Sequence, residues 1–142
     1  MFLIDTNVVS ESRKIPSGRA APEVVAWLSR TDPALTYLSS MTMFELELGV
    51  GRAERRDPSQ GALLRRWLER VVRPGFAGRI LAMDDKVAAI CARLHVPDPV
   101  SERDGWIAAT ALAHGLELVT RNVADVSGTG VRTVNPWDAV AG

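Results

Sequence analysis

The chain has 142 residues, of which 46% are hydrophobic and 24% charged; these values are typical of one soluble globular domain and exclude a disordered or fibrous protein. The 17 basic and 17 acidic side chains cancel at pH 7, so the whole molecule has no net attraction for nucleic acid or membranes. One cysteine excludes an internal disulfide and a multi-cysteine zinc site, and the sequence has neither a basic leader nor an apolar run of ~18–20 residues, so we expect a cytoplasmic protein without a membrane segment.

Apolar runs and capping residues predict strands that alternate with helices. The run from Phe2 to Asp5 is typical of a short buried strand, and Asp5, Thr6 and Asn7 are capping residues for a helix that follows it. The next predicted elements are a helix with Pro22 in its first turn, a strand at 35–39, and a helix capped by Ser40 or Thr42 that runs towards Arg56. They are followed by a helix from Pro58 to about Val72, a break at 74–78, a strand at 79–83 and a helix capped by Asp84. The last predicted elements are a helix from Ser101 to His114 and strands at 116–120 and 131–134. This alternation favours parallel pairing, so we expect an α/β fold of three layers, a mostly parallel sheet flanked by helices, in a single domain of residues 1–142.

Polar side chains follow the predicted strands. Asp5 ends the first strand, and Asn122 lies just beyond the strand that ends at Thr120; Glu45 and Asp104 lie in the first turns of two helices. Ligands of open α/β sheets bind outside the carboxyl ends of the strands, so we expect these residues to meet at one rim. Each also has a structural interpretation as a helix cap, a first-turn acid or a turn residue. Convergence favours a cation site, because buried like charges repel unless a cation neutralises them.

The type of ligand atom indicates the chemistry. Oxygen ligands without His or Cys select Mg²⁺ or Mn²⁺ over zinc, and these ions complete their coordination with water and with phosphate oxygens of a substrate. The pattern therefore predicts hydrolysis of a phosphodiester bond, in which metal-activated water attacks phosphorus and no side-chain nucleophile is needed.

Four motifs in series resemble those of PIN-domain ribonucleases, specifically the VapC toxins of bacterial type II VapBC toxin–antitoxin systems. They are Phe2–Val8, Ser39–Gly49, Asp104–Ala111 and Leu118–Asp125, and 135–137 is similar to the ending of a branch that includes FitB-type proteins. The match covers nearly the whole chain in the correct order. The resemblance implies a PIN fold and a toxic endoribonuclease that cleaves single-stranded RNA segments with Mg²⁺ or Mn²⁺.

The resemblance also implies roles for the acidic residues. Asp5 and Asp104 correspond to the principal metal ligands, and Glu45 to a further acid that acts directly or through water. The fourth position falls on Asn122 or on Asp125, since some family members have Asp at the first of these, and many toxins have Asn there with Asp three residues later. Asn122 adds no negative charge, and Asp125 has the alternative of bracing its own loop, so we assign one metal ion.

Other polar residues near these acids have two interpretations each. Thr6 and Thr120 either hydrogen-bond the carboxylates from outside the ligand set or satisfy backbone groups at the strand ends. Arg121 either contacts a substrate phosphate or pairs with Asp125, and we favour the ion pair. The stretch from Arg52 to Arg79 has eight Arg against three acids, and it either follows an RNA backbone or is a solvated helix face.

Partners and alternatives follow from the same comparison. The resemblance implies a homodimer that is held in check by a VapB-type antitoxin, whose C-terminal tail lies across the active-site groove and places a basic side chain in the acid pocket. A phosphotransfer enzyme of the haloacid-dehalogenase type also has Asp at a strand end but needs a second Asp where this chain has Asn7. A non-catalytic PIN scaffold for protein binding is the other alternative, although Asp5, Glu45 and Asp104 are all present.

Overall fold

Five parallel strands form one sheet in the order β3-β2-β1-β4-β5 in the computed structural model, which describes residues 1–138. The strands are β1 (Phe2–Ile4), β2 (Thr36–Ser39), β3 (Ile80–Leu81), β4 (Glu117–Val119) and β5 (Thr133–Val134). The predicted parallel sheet is therefore confirmed. The last four residues of the predicted domain, 139–142, lie outside the described residues.

Helices connect the strands. They are α1 (Thr6–Ser12), α2 (Pro22–Arg30), α3 (Ser40–Arg56), α4 (Pro58–Trp67), α5 (Arg73–Gly75), α6 (Asp85–Leu94) and α7 (Glu102–His114), with a π-helical turn at Leu68–Val72 and 3₁₀ turns at Pro33–Leu35 and Val123–Val126. Asp84 caps α6 as predicted, by accepting a hydrogen bond from the Val87 N–H. The predicted cap of α3 was wrong by one residue, since Ser39 accepts the bond from the Thr42 N–H.

Several predicted boundaries differ from the structure. The helix that was predicted to end near Val72 continues through the π-helical turn into α5, so Pro74 lies inside a helical segment instead of at a break. Pro74 removes one N–H donor from this continuous segment, and it lies just after the π-helical turn, where the helical hydrogen-bond pattern is already irregular. The outer strands β3 and β5 have only two residues each, and each has one neighbouring strand in the sheet.

Alternate residues of the central strands pack on opposite faces of the sheet. Leu3 and Leu118 join one buried cluster with Ile107 of α7, whereas Ile4 and Val119 join another with residues of α1, α2 and α3. This alternation follows from the two-residue repeat of a strand. Both faces are thus covered by helices, which gives the predicted three-layer arrangement.

The strand order changes direction at β1. From β1 the chain goes through α1 and α2 to β2 on one side, and from β3 it goes through α6 and α7 to β4 on the other side. Beyond the carboxyl ends of β1 and β4, the Asp5 N–H donates to the Val119 carbonyl at 2.9 Å. A crevice at such a reversal is the usual ligand site of an open α/β sheet.

Candidate active site

Asp5 lies at the carboxyl end of β1 with only 9% of its surface exposed. Its Oδ1 accepts a hydrogen bond from the Thr6 N–H at 2.7 Å, and its Oδ2 accepts one from the Thr120 hydroxyl at 2.7 Å and one from the Asn7 amide at 3.3 Å. Burial raises the pKa of Asp5 above its ordinary value, and the charge of Glu45 raises it further, against the opposing effect of these hydrogen bonds. The hydrogen bonds therefore hold the carboxylate in one orientation, but they do not offset the effects that raise its pKa.

Asp104 is half-buried in the first turn of α7. Burial raises the pKa of this carboxyl, and the negative charges of Asp125 and Asp5 raise it further. The charges of Asp5, at the end of β1, and of Asp125, in the 3₁₀ turn, thus both act on Asp104. The structure thus brings together carboxylates that are about a hundred residues apart in the chain.

Glu45 is a neighbour of Asp5 but has its own partners. Its Oε1 accepts a hydrogen bond from the Thr6 hydroxyl at 2.7 Å, and its Oε2 lies 3.7 Å from Nη1 of Arg103. In residues 1–138, no three His, Cys, Asp or Glu side chains are grouped closely enough to hold a metal ion. The charge of Glu45 acts on Asp5, and the charges of Asp5 and Asp125 act on Asp104; we call these four acids the acid row.

The two threonines support carboxylates as well as backbone. Thr120 donates to Asp5 while it accepts from the Asn122 N–H at 3.0 Å, so both interpretations of this hydroxyl apply. Thr6 donates to Glu45, and its hydroxyl also lies 3.1 Å from that of Thr42. The side chains of Asn122 and Asp125 are exposed at the edge of the site.

Arg121 does not form the ion pair that we favoured. Among the residues that the structure describes, its guanidinium lies 5.0 Å from the centre of the Trp137 ring, and no pair with Asp125 is present. The backbone N–H of Arg121 donates to the Asn7 side chain at 3.3 Å. Stacking on an aromatic ring stabilises an exposed guanidinium without a carboxylate partner.

Sequence reasoning missed Arg103 and the structural use of Asn7. Arg103 stacks over the ring of Phe44 at 5.3 Å from its centre while it faces Glu45, so it partly neutralises that acid. The only sequence signal was its position directly before Asp104, which does not identify a partner on α3. Asn7 joins the ends of β1 and β4, because its amide group contacts both Asp5 and the Arg121 N–H.

The residues present fit a hard divalent cation. Mg²⁺ usually keeps several waters and takes one or two protein carboxylates together with phosphate oxygens of a substrate, so it does not need a closed cage of protein ligands. Asp5 and Asp104 have only oxygen atoms as ligands, and the negative charge of Asp5 raises the pKa of Asp104.

The sequence profile of the PIN domain matches residues 2–124 of the chain. The chain belongs to the PIN domain family. A curated PIN relative, toxin FitB of Neisseria gonorrhoeae, is 40% identical over 143 aligned residues, which cover 96% of this chain and 99% of FitB. VapC ribonuclease Y4jK of Sinorhizobium fredii is 34% identical, with 97% of this chain and 99% of the relative covered.

Solved structures share this PIN fold over their full length. The crystal structure of FitAcB from N. gonorrhoeae superposes with a TM-score of 0.88 at 37% identity and covers 98% of this chain and 100% of its own. A toxin–antitoxin complex from Klebsiella pneumoniae has a TM-score of 0.65 at 26% identity, with 98% and 100% covered. The predicted family and the predicted three-layer fold are confirmed. In the described part of the chain, no helix is both long enough and apolar enough to span a membrane.

Proposed function

We propose that this PIN domain is the toxin of a type II toxin–antitoxin system and acts as a Mg²⁺- or Mn²⁺-dependent endoribonuclease. The predicted toxin and ribonuclease function agrees with the names of relatives that match over nearly the whole chain. The observation that carries the proposal is the Asp5–Asp104 pair at the point where the strand order reverses, two acids with raised pKa values beside the further acids Glu45 and Asp125. The haloacid-dehalogenase alternative has no support in the family of the chain.

Each side chain has a distinct task in this proposal. Asp5 and Asp104 would hold the ion, which when bound neutralises phosphate charge and activates water. Thr120 and the Thr6 N–H hold Asp5 in one orientation through bonds to different oxygens. The Thr6 hydroxyl donates to Oε1 of Glu45, and Arg103 lies 3.7 Å from its Oε2, so both oxygens of this further acid have partners; Glu45 would act on the ion directly or through water.

The remaining polar residues adjust the edge of the site. Asp125 adds negative charge beside Asp104, whereas Asn122 is a neutral residue that orients water or substrate. Arg121, held flat on Trp137, is a candidate for contact with an RNA phosphate. All three are exposed, which suits contact with a substrate that arrives from solvent.

We propose further that the chain is one domain over residues 1–142 and forms a homodimer. Its partners are single-stranded RNA and a VapB-type antitoxin that places a basic side chain in the acid row. The uncompensated charge of Asp5 and Asp104 supports this last contact, because a guanidinium there gains from the same repulsion that favours a metal ion. RNA and antitoxin are made in the cytoplasm, which is therefore the proposed location.

Cleavage of RNA by a matched pair of variants tests the function. Antitoxin-free full-length protein should cleave single-stranded RNA in Mg²⁺ or Mn²⁺ and lose that activity with a chelator. Asp104→Asn should abolish cleavage, whereas Asp85→Asn, at an exposed acid in the first turn of α6, should not change it. If the wild-type protein cleaves no RNA with either ion, the non-catalytic PIN scaffold for protein binding is correct instead.

A further inference from the structure

A basic cleft lies beside the C-terminal end of α1. It encloses about 680 Å³ between the segment after α1 and the first turn of α4, and we call it the Arg13–Arg19 cleft. Its lining residues are Arg13, Lys14, Pro16, Ser17, Arg19 and Gln60. In the described part of the chain, the lining thus has three cations and no acid, within a molecule whose total charge is zero. A concave surface of one sign focuses the field on a ligand of the opposite sign.

Hydrogen bonds fix the backbone that carries these cations. The Gly18 N–H donates to the Ile15 carbonyl at 3.0 Å, and the Arg19 N–H donates to the Lys14 carbonyl at 3.3 Å. Gly18 has φ of +76°, a conformation that glycine adopts without strain. The segment is therefore a defined turn, which lowers the entropy cost of binding a ligand.

Glu11 anchors this turn from α1. Its Oε2 accepts a hydrogen bond from the Ala21 N–H at 2.8 Å, and its Oε1 pairs with Lys14 at 3.0 Å. Lys14 is thereby partly neutralised. Neither Arg13 nor Arg19 forms an ion pair within residues 1–138, and both are exposed. Two arginines are therefore available to an anion in the cleft.

The cleft adjoins a groove that includes Glu45 of the acid row. A second groove, of about 230 Å³, is lined by Thr6, Glu45, Gly49 and Arg13, among others, so Arg13 borders both spaces. Thr6 and Glu45 are hydrogen-bonded to each other beside Asp5. Along α1, the helical rise from Asp5 to Arg13 is about 12 Å. A Cβ atom at Gly49 would meet no other atom within 4 Å, so the groove is open at this position.

The arginine-rich stretch at 52–79 is less suited to this role. Arg65 and Arg73 are paired with Glu47, Glu54 and Glu69. Arg79 donates to the backbone carbonyls of Pro33, Thr36 and Gly75. Three of the eight arginines in this stretch thus already bind other groups of the protein.

We propose that the Arg13–Arg19 cleft binds a phosphate group of the RNA strand on one side of the scissile bond. This inference rests on the proposed function and adds the place where the substrate backbone is held. Guanidinium groups bind phosphate oxygens through paired hydrogen bonds, and such contacts position a nucleic acid without reading its sequence. The cleft therefore contributes affinity and register to RNA of any sequence that is long enough to reach it.

Binding measured separately from cleavage tests the cleft. The double variant Arg13→Ala/Arg19→Ala is compared with the control Arg30→Ala/Arg93→Ala. Each removes two positive charges, and all four side chains are exposed. Fluorescence anisotropy in the presence of a chelator gives the Kd for single-stranded oligoribonucleotides, one short and one long, over a range of salt concentrations. Because each phosphate contact on a single strand contributes a slope of about −0.7 to log K against log salt, the loss of one phosphate contact should make the slope of the test variant shallower by about 0.7 for the long oligonucleotide.

The outcomes separate the cleft from the function. We expect weaker binding of the long oligonucleotide by the test variant, similarly for different sequences, with no change for the short one or in the control. Equally weakened RNA binding by both double variants would mean that net charge alone matters. Unchanged RNA binding by the test variant, together with weaker binding of an acidic peptide, would mean that the cleft binds protein. Either result overturns the proposal. If wild-type protein cleaves no RNA, the proposed function fails, whereas the binding comparison still decides what the cleft holds.

Discussion

Two clusters of charged side chains in this protein have opposite electrostatics. On α3, α4 and the π-helical turn, Arg65 pairs with Glu47 at 2.7 Å and with Glu54 at 3.0 Å, and Arg73 pairs with Glu47 and Glu69. At the end of the sheet, acids face other acids. The Arg65 and Arg73 guanidinium groups lower the pKa of Glu47, whereas burial raises the pKa values of Asp5 and Asp104 and the charges of neighbouring acids raise them further.

This difference separates a structural cluster from a functional one. The first cluster is balanced within the chain, so folding itself completes its interactions. In the second cluster Arg103 faces Glu45 alone, and in the proposed function a cation from outside completes the interactions of Asp5 and Asp104, while hydrogen bonds from Thr120 and Thr6 hold Asp5 in place. Variants at the acid row should therefore change catalysis, and variants at the balanced cluster should change stability.

The largest effect is expected for Asp5→Ala. This substitution removes a ligand atom from the acid row without removing apolar core volume, so it should lower RNA cleavage by more than the ~10–100-fold that is typical of residues outside the ligand set. The variant should still fold in chelator, with only a modest fall in melting temperature, because alanine loses the hydrogen bonds from the Thr6 N–H and the Thr120 hydroxyl. Cleavage rates with Mg²⁺ and thermal unfolding of the same preparation check both statements. Wild-type cleavage by the variant would show that Asp5 only caps α1.

Thr120→Val should have the next largest effect. Valine keeps the shape of threonine but cannot donate to Oδ2 of Asp5, so the carboxylate loses its 2.7 Å partner and its orientation. We expect a decrease in kcat of roughly 10–100-fold, as for other partners that orient a metal ligand. Thr129→Val, whose hydroxyl donates to the Val126 carbonyl elsewhere, is the matched control and should keep full activity. Equal losses in the two variants would indicate a general effect on folding.

In chelator, the free energy of unfolding should depend on pH, because the buried Asp5 carboxylate of the acid row destabilises the folded protein when it is ionised. The folded-state pKa of Asp5 is raised above its ordinary value of 3.8, so the protonated form is favoured in the folded protein. Its stabilising effect is complete below 3.8 and is lost as the pH rises through the raised pKa. Asp5→Asn should therefore be more stable than wild type at neutral pH, with the difference vanishing in acid. Urea unfolding at several pH values measures it, and a constant difference would mean an unshifted pKa.

The placement of the acid row was accessible from sequence because it depends on topology. Alternating strands and helices favour parallel pairing, and parallel pairing puts the residues after β1 and β4 at one edge of the sheet. Asp5 is therefore near the 3₁₀ turn with Asp125, although they are far apart in the chain. Glu45 and Asp104 were predicted at the same edge from their positions in the first turns of two predicted helices, and the family motifs then gave their roles.

Side-chain partners across helices were not accessible in this way. Arg103 meets Glu45 and Arg121 meets Trp137 because of the packing of α7 and of the chain after β5, which no local pattern encodes. The stretch at 52–79 was open to two interpretations for the same reason: Glu47, which binds two of its arginines, lies outside it on the preceding helix.

The smallest effect is expected for Glu47→Gln, in the balanced cluster. The variant leaves Arg65 and Arg73 with their exposed partners Glu54 and Glu69, so the loss is that of a partly exposed ion pair, at most about 1 kcal/mol in the free energy of unfolding and less in high salt. Cleavage of RNA in Mg²⁺ should stay at the wild-type level, because no residue of the acid row contacts Glu47. Urea unfolding at low and high salt measures the first effect and a cleavage assay the second. A large loss of cleavage with little loss of stability would place these arginines on the path of the RNA and remove the distinction between the two clusters.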